Sequence, residues 1–328
     1  MLQILTTSDC RLRMLTGEPG EMLPEDAVWV DLVRPTREEE LFVERALHVS
    51  LPTREEMQEI EPSNRLYQED GGLFMTVNML VNADSPLPES TAITFVLVRQ
   101  RLVTIRYEEP KAFRTFAGHV ERHRELGVSG ASLLVGLLEA IVDRTADILE
   151  RIGVDVDALS RSIFIGNGGG NGGAPGSPRD FTAALTRMGR HHDLTAKARE
   201  SLVSLSRLLS FLTLPADVRN DEELREHVRG LVRDAASLTD HATFISGNIS
   251  FLLNATLGLV NVEQNAIIKI FSVAAVVFLP PTLVASIYGM NFKMIPELGW
   301  DFGYAWALLL MVLSAVLPYL YFKRRHWL

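Results

Sequence analysis

Two uncharged apolar runs, Ile270–Tyr288 and Tyr304–Phe322, dominate the last quarter of the chain, and each is 19 residues long. At helical rise each covers roughly 28 Å, about the thickness of a hydrocarbon core. Lipid offers no partner to a backbone N–H or C=O, so a spanning segment of this kind is a helix. The pair therefore predicts a helical hairpin: spans at 267–288 and 304–322, a connecting loop at 289–303 and a basic tail at 323–328. Its apex reads Tyr288-Gly289-Met290-Asn291.

Charge separates this hairpin from what precedes it. Residues 264–328 hold five basic and two acidic groups, whereas residues 1–263 hold 27 basic and 39 acidic ones. An acidic soluble portion argues against nucleic acid as a partner and suits cations, although acidity also serves solubility alone. Cys10 is the only cysteine, which excludes an intrachain disulfide and a thiolate metal cluster. The first residues lack a basic stretch followed by a long apolar one, so a signal peptide is not expected. Lys323-Arg324-Arg325 directly follows the second run. By the positive-inside rule that end is cytoplasmic, which puts both termini inside the plasma membrane and the apex outside.

The first third alternates strand and helix signals. Ala27–Leu32, Leu73–Val81, Thr91–Val98 and Leu102–Arg106 read as strands, the last two as a hairpin across a three-residue polar break. Thr36-Arg37-Glu38-Glu39 and Thr53-Arg54-Glu55-Glu56 are capping boxes, predicting a helix to about His48 and a second, short one. Strand signals then stop. Helices are expected over Pro110–Glu125, Ser129–Phe164 and Arg179–Leu214, the last two joined by a flexible Gly-rich loop at 166–176. The expected fold is an α+β domain over 1–215, a mixed sheet with flanking helices, followed by a stalk helix over 216–266. Leu224, Val228, Leu231, Ala235, Leu238, Ala242, Ile245, Ile249, Leu252, Thr256 and Leu259 recur at alternating spacings of four and three along that stalk. Such a seam calls for a packing partner, either the preceding helical hairpin or other subunits. His191-His192-Asp193 reads as surface histidines, since adjacent helical residues point about 100° apart and do not chelate together. No nucleotide fingerprint, nucleophile elbow or nucleophile–base pair emerges, so an enzyme is not expected.

On the first span Asn265, Ile268, Ser272, Ala275, Leu279, Thr282 and Ser286 share one face, polar at both ends and apolar between. Two readings fit: a pore face, or close packing of helices, which also favours small and hydroxyl residues. Pro280-Pro281 lies within the span. At the apex, glycine lets backbone carbonyls approach and the asparagine amide offers a neutral oxygen. Mg2+ sheds water reluctantly, and a ring of amide oxygens can hold its hydration shell. Two helices of one chain cannot enclose a wet path, so a channel requires a closed ring of subunits.

Tyr288-Gly289-Met290-Asn291-Phe292 with Ile295-Pro296-Glu297-Leu298, preceded by Phe278-Leu279-Pro280-Pro281-Thr282, resembles the signature of the CorA-type magnesium transporter family. The resemblance implies a funnel-shaped homopentamer embedded in membrane lipid, with the first span lining a pore and the second forming an outer ring. It implies an outer selectivity ring of Gly289, Met290 and Asn291, polar pore positions at Thr282 and Asn265, and an apolar constriction at Leu279, Phe271 and Ile268, with Ala275 on the same face. Glu297 would draw cations to the mouth. Mg2+, and with it Co2+, would be the transported ion, with no further cofactor. Two neighbouring readings are the same fold carrying Zn2+ or Ni2+ and a non-conducting membrane sensor; Met290 favours the magnesium branch. Family members also bind cytosolic Mg2+ through carboxylates between subunits. Gly230 stands where one such aspartate is expected and Asp234 lies one turn on, leaving the regulatory site unassigned.

Overall fold

The computed structural model describes residues 1–8, 12–15, 22–122, 129–164, 181–212, 220–291 and 299–325. The Gly-rich loop, Glu297 and the end of the basic tail lie outside them. The described chain divides into two compact units, Met1–Leu252 and Leu253–Leu328.

The first unit is built on a seven-stranded sheet: β1 (Leu2–Thr6), β2 (Leu12–Leu15), β3 (Ala27–Val33), β4 (Leu66–Glu69), β5 (Gly72–Val81), β6 (Glu89–Val98) and β7 (Arg101–Arg106). Their spatial order is β2-β1-β3-β7-β6-β5-β4. Only the β3–β7 pair is parallel, so the sheet is mixed, as expected. The β6–β7 hairpin turns on two residues rather than three. Arg99 and Gln100 both take positive φ, 48° and 67°, matching the twist of the flanking strands.

Helices cover both faces. On one lies α1 (Arg37–Leu47), opened by the Thr36 box: the Thr36 hydroxyl accepts from the Glu39 N–H and the Glu39 carboxylate accepts from the Thr36 N–H. Its Val43 and Leu47 join Leu32, Phe74, Val96 and Ile105 in one core. The Thr53 box also closes, but it opens only a 3-10 turn, Glu56–Gln58, of which Met57 alone is buried. A four-residue helix, α2 (Pro62–Arg65), leads into β4.

The opposite face carries α3 (Lys111–Val120), α4 (Gly130–Phe164) and α5 (Phe181–Leu212). Trp29, Phe95, Phe113, Phe116, Leu134 and Leu208 are among the residues of this second core. Within it Asp31 and Arg106 form a buried ion pair, 2.8 Å, whose side chains are 1% and 9% exposed. Thr104 donates to Asp31 and accepts from the Trp29 indole, so the carboxylate is fully partnered.

From Glu222 to Tyr288 runs a single helix of 67 residues, α6, with Pro280 and Pro281 inside it. Its seam is buried within the chain. Leu224, Val228, Leu231 and Ala235 join the second core, and Ala242, Ile245, Ile249 and Leu252 are no more exposed. Phe164 of α4 stacks on Phe251, and Glu139 of α4 meets His227 at 3.3 Å, so α4 runs parallel to α6. The partner of the seam is therefore the chain's own helical hairpin. His191 departs from the surface reading. It is 12% exposed, sits 3.7 Å from Asp155 of α4, and burial lowers its pKa.

The second unit holds the end of α6 and α7 (Gly303–Arg324), which carries Pro318. Both helices are long and apolar enough to cross a membrane, and only 6% of each apolar window is buried.

Candidate ion path along the first membrane helix

Pro280 and Pro281 each lack an N–H, which frees the carbonyls of Val276 and Val277 four residues back. The helix nevertheless continues to Tyr288. The next residue, Thr282, donates its hydroxyl proton to the Phe278 carbonyl one turn back, at 2.7 Å. Its proton is thereby committed, and its oxygen faces outward as an acceptor only.

Every residue from Asn261 to Ser272 is exposed, and from Val273 onward burial marks one stripe of this segment. Val273 is 5% exposed, and Val277, Pro280, Pro281, Val284 and Tyr288 are half-buried. On α7 the matching stripe is Gly303, Ala307, Leu310, Met311, Ser314, Pro318 and Phe322, with Ala307 6% exposed. These stripes are the least exposed residues of the two spans. Asn265, Ile268, Phe271, Ser272, Ala275, Leu279, Thr282 and Ser286 are all exposed. At 100° per residue that face lies about 180° from the least exposed stripe. Burial within one chain therefore does not account for its small and hydroxyl residues. From Asn265 to Tyr288 the face extends about 35 Å, the depth of a bilayer core.

At the apex the helix closes with the Gly289 N–H donating to the Ala285 carbonyl at 2.9 Å and the Met290 N–H to the Ile287 carbonyl at 3.3 Å. A Cβ on Gly289 would sit 3.1 Å from the Ala285 oxygen, so the tight last turn favours glycine. Met290 is 47% exposed, and Asn291 is exposed beyond it. The end of a helix carries unpaired carbonyls and the negative end of its dipole. Asn291 thus stands where a cation is favoured electrostatically even without a formal charge.

Aromatic side chains mark the ends of α7. Trp300, Phe302, Tyr304 and Trp306 are exposed on the apex side, Tyr319 and Tyr321 on the other. Tyr304 to Tyr321 is about 26 Å along a helix, the spacing of two interfacial belts. Among the described residues no three His, Cys, Asp or Glu side chains converge as a metal cage. On α4 and α6, Glu139, Asp143, Asp147 and Asp234 do gather. Burial, and then these neighbours, raise the Asp143 pKa. Gly230 has open space where a Cβ would stand.

A model of the CorA-like Mg2+ transporter protein family matches residues 24–324. The chain belongs to that family. The magnesium transport protein CorA of Salmonella typhimurium is 38% identical over 328 residues, covering all of both chains. The counterpart in Escherichia coli strain K12 is 37% identical over the same span. Among solved structures, the complete CorA magnesium transporter from Methanocaldococcus jannaschii superposes with a TM-score of 0.75 at 18% identity, covering 100% of this chain and 98% of that one. The full-length CmaX protein gives 0.68 at 17% identity, covering 99% and 97%. These two matches establish the fold over the whole length: mixed-sheet domain, long helix, terminal apolar helices. Members of the CorA-like family are membrane transporters of ions and not enzymes.

One feature of the family's membrane helix escaped sequence reasoning. Periodicity defined the exposed face but not the less exposed stripe behind it. Val273, Val277 and Val284 are as apolar as their neighbours, so only burial separates them.

Proposed function

We propose that five copies of this chain form a ring in the plasma membrane and conduct hydrated Mg2+, and also Co2+, passively into the cell. The observation that carries this reading is the exposed face of α6, polar at Asn265 and Thr282 and apolar at Ile268, Phe271, Ala275 and Leu279, set opposite the least exposed stripe of the same helix. A ring closed on that face lines a pore with α6 and backs it with α7, leaving α7 to meet lipid. Gly289, Met290 and Asn291 form the outer ring, where several amide oxygens hold the ion's water shell without stripping it. Glu297 raises the cation concentration at the mouth. The leucine, isoleucine and phenylalanine rings gate by dewetting. With both termini cytoplasmic, a negative-inside potential of 100 mV favours entry by about 4.6 kcal/mol per divalent ion, twice the single-charge value.

The test is growth at low Mg2+ of cells that lack other magnesium uptake. The chain is expected to restore growth, and failure to do so with the protein present in the membrane contradicts the reading.

A further inference from the structure

Strand β4 begins at the Leu66–Met75 pair, directly after α2. Beyond Met75 that edge of β5 has no strand partner, and α5 covers it instead. The Asn78 N–H donates to the Ser204 hydroxyl at 3.0 Å and the Leu80 N–H to the Ser201 hydroxyl at 3.3 Å. Between the end of β4 and α5 this leaves a groove of about 450 Å³, with Thr76 and Asn78 among its lining residues.

Three guanidinium groups line the groove: Arg65 from α2, Arg199 and Arg207 from α5. Its one carboxylate, Glu200, already accepts from the Asn78 amide at 2.6 Å. Arg65 is held in place by the Glu59 carbonyl and the Asn78 side-chain oxygen at 3.0 Å. Arg199 and Arg207 make no hydrogen bond or ion pair among the described residues. Arg65 is half-buried; burial lowers its pKa, Glu200 opposes that shift and the charge of Arg207 adds to it. The groove is thus a local excess of positive charge in a portion of the chain that is otherwise strongly acidic. Like charges held together around a concave surface favour an anion in their midst.

The geometry points to a binding site for a polyphosphate group in this groove, as an addition to the proposed transport and independent of it. Arg199 and Arg207 lie two turns apart, about 12 Å along α5. Donors spread over that length suit an extended anion of two or three phosphates better than a single phosphate. Guanidinium groups suit phosphate oxygens because they donate in pairs. A nucleoside triphosphate and an inorganic polyphosphate share this chemistry. Ile60, Leu66 and Val203, which also line the groove, offer apolar surface that only the former would use.

The test is calorimetric titration of the full-length protein in detergent, without Mg2+, using ATP, inorganic tripolyphosphate and adenosine. ATP and tripolyphosphate are expected to bind saturably with Kd below about 1 mM and more weakly as salt rises, while adenosine does not bind. Tighter binding of ATP than of tripolyphosphate identifies the nucleotide as the better source; equal binding assigns the affinity to the phosphates. An Arg199→Gln/Arg207→Gln chain that melts like the parent is expected to lose at least about tenfold. Glu200→Gln, which keeps all three arginines, is expected to tighten binding. The proposal fails if neither phosphate compound binds, if the double variant binds like the parent, or if Glu200→Gln binds no better. None of these outcomes depends on ion flux.

Discussion

At the scale of single residues, the account rests on Asn291 and Thr282, two uncharged oxygens presented outward. Asn291→Ala removes the amide while leaving the tight Gly289 turn intact. It is expected to abolish growth rescue at low Mg2+ without lowering the amount of protein in the membrane. Normal uptake by that variant would remove the role given to the apex. The soluble unit offers a structural contrast. Asp31→Ala leaves Arg106 buried without a counter-charge and is expected to cost about 3–5 kcal/mol in denaturant unfolding. Two carboxylates give opposite pH dependence. The Arg151 hydrogen bond above all, helped by Arg144 and Lys111, lowers the Asp84 pKa. Its contribution to stability is present above the ordinary carboxylate range and is lost as pH falls through the lowered value. Burial and acidic neighbours raise the Asp143 pKa, so there the fold is penalised at neutral pH and relieved as pH falls through the raised value. Asp143→Asn is expected to stabilise the fold near neutral pH by less than about 1 kcal/mol for so exposed a group, seen as a small rise in melting temperature that vanishes in acid. The Gly-Met-Asn apex and Thr282 were singled out in the sequence because motif and position agreed, and their role stays a proposal. The Asp31–Arg106 pair was not, because its partners lie 75 residues apart and meet only through the parallel β3–β7 pairing.

At the scale of elements, the N-terminus of α4 docks on the β6–β7 turn. The Gly130 N–H donates to the Gln100 carbonyl at 2.6 Å, and a Cβ on Gly130 would lie 2.5 Å from backbone atoms of Arg101 and Leu102. Backbone on both sides cannot yield cheaply. Gly130→Ala is expected to destabilise by about 1–3 kcal/mol in denaturant unfolding, whereas Gly153→Ala, with open space around it, is not. Elements with a local signature were readable: the Thr36 helix through its box, β5 and β6 through their β-rich runs, the two spans through length and absence of charge. Strands β1, β2 and β4 were missed. They are four or five residues long, and β4, Leu66-Tyr67-Gln68-Glu69, has no apolar run, because β5 supplies the burial for that edge. The α6 seam was visible, but its partner was not, since periodicity says that a face is covered and not by what.

At the scale of the whole molecule, the proposed pore needs more than one chain. The chain's first span presents a face that is partly polar and exposed, opposite the least exposed stripe of the same helix. The account closes that face into a fivefold ring, so that each exposed oxygen becomes one of five around an axis. The most direct test is Mg2+ flux into liposomes after replacing Cys10 with serine and placing a single cysteine at Thr282 or, as a control, at Val312 of α7, which is also exposed. The account predicts that a charged thiol reagent blocks flux through Thr282→Cys and leaves flux through Val312→Cys unchanged. Unblocked flux through Thr282→Cys, with modification of the thiol verified by mass, would contradict it.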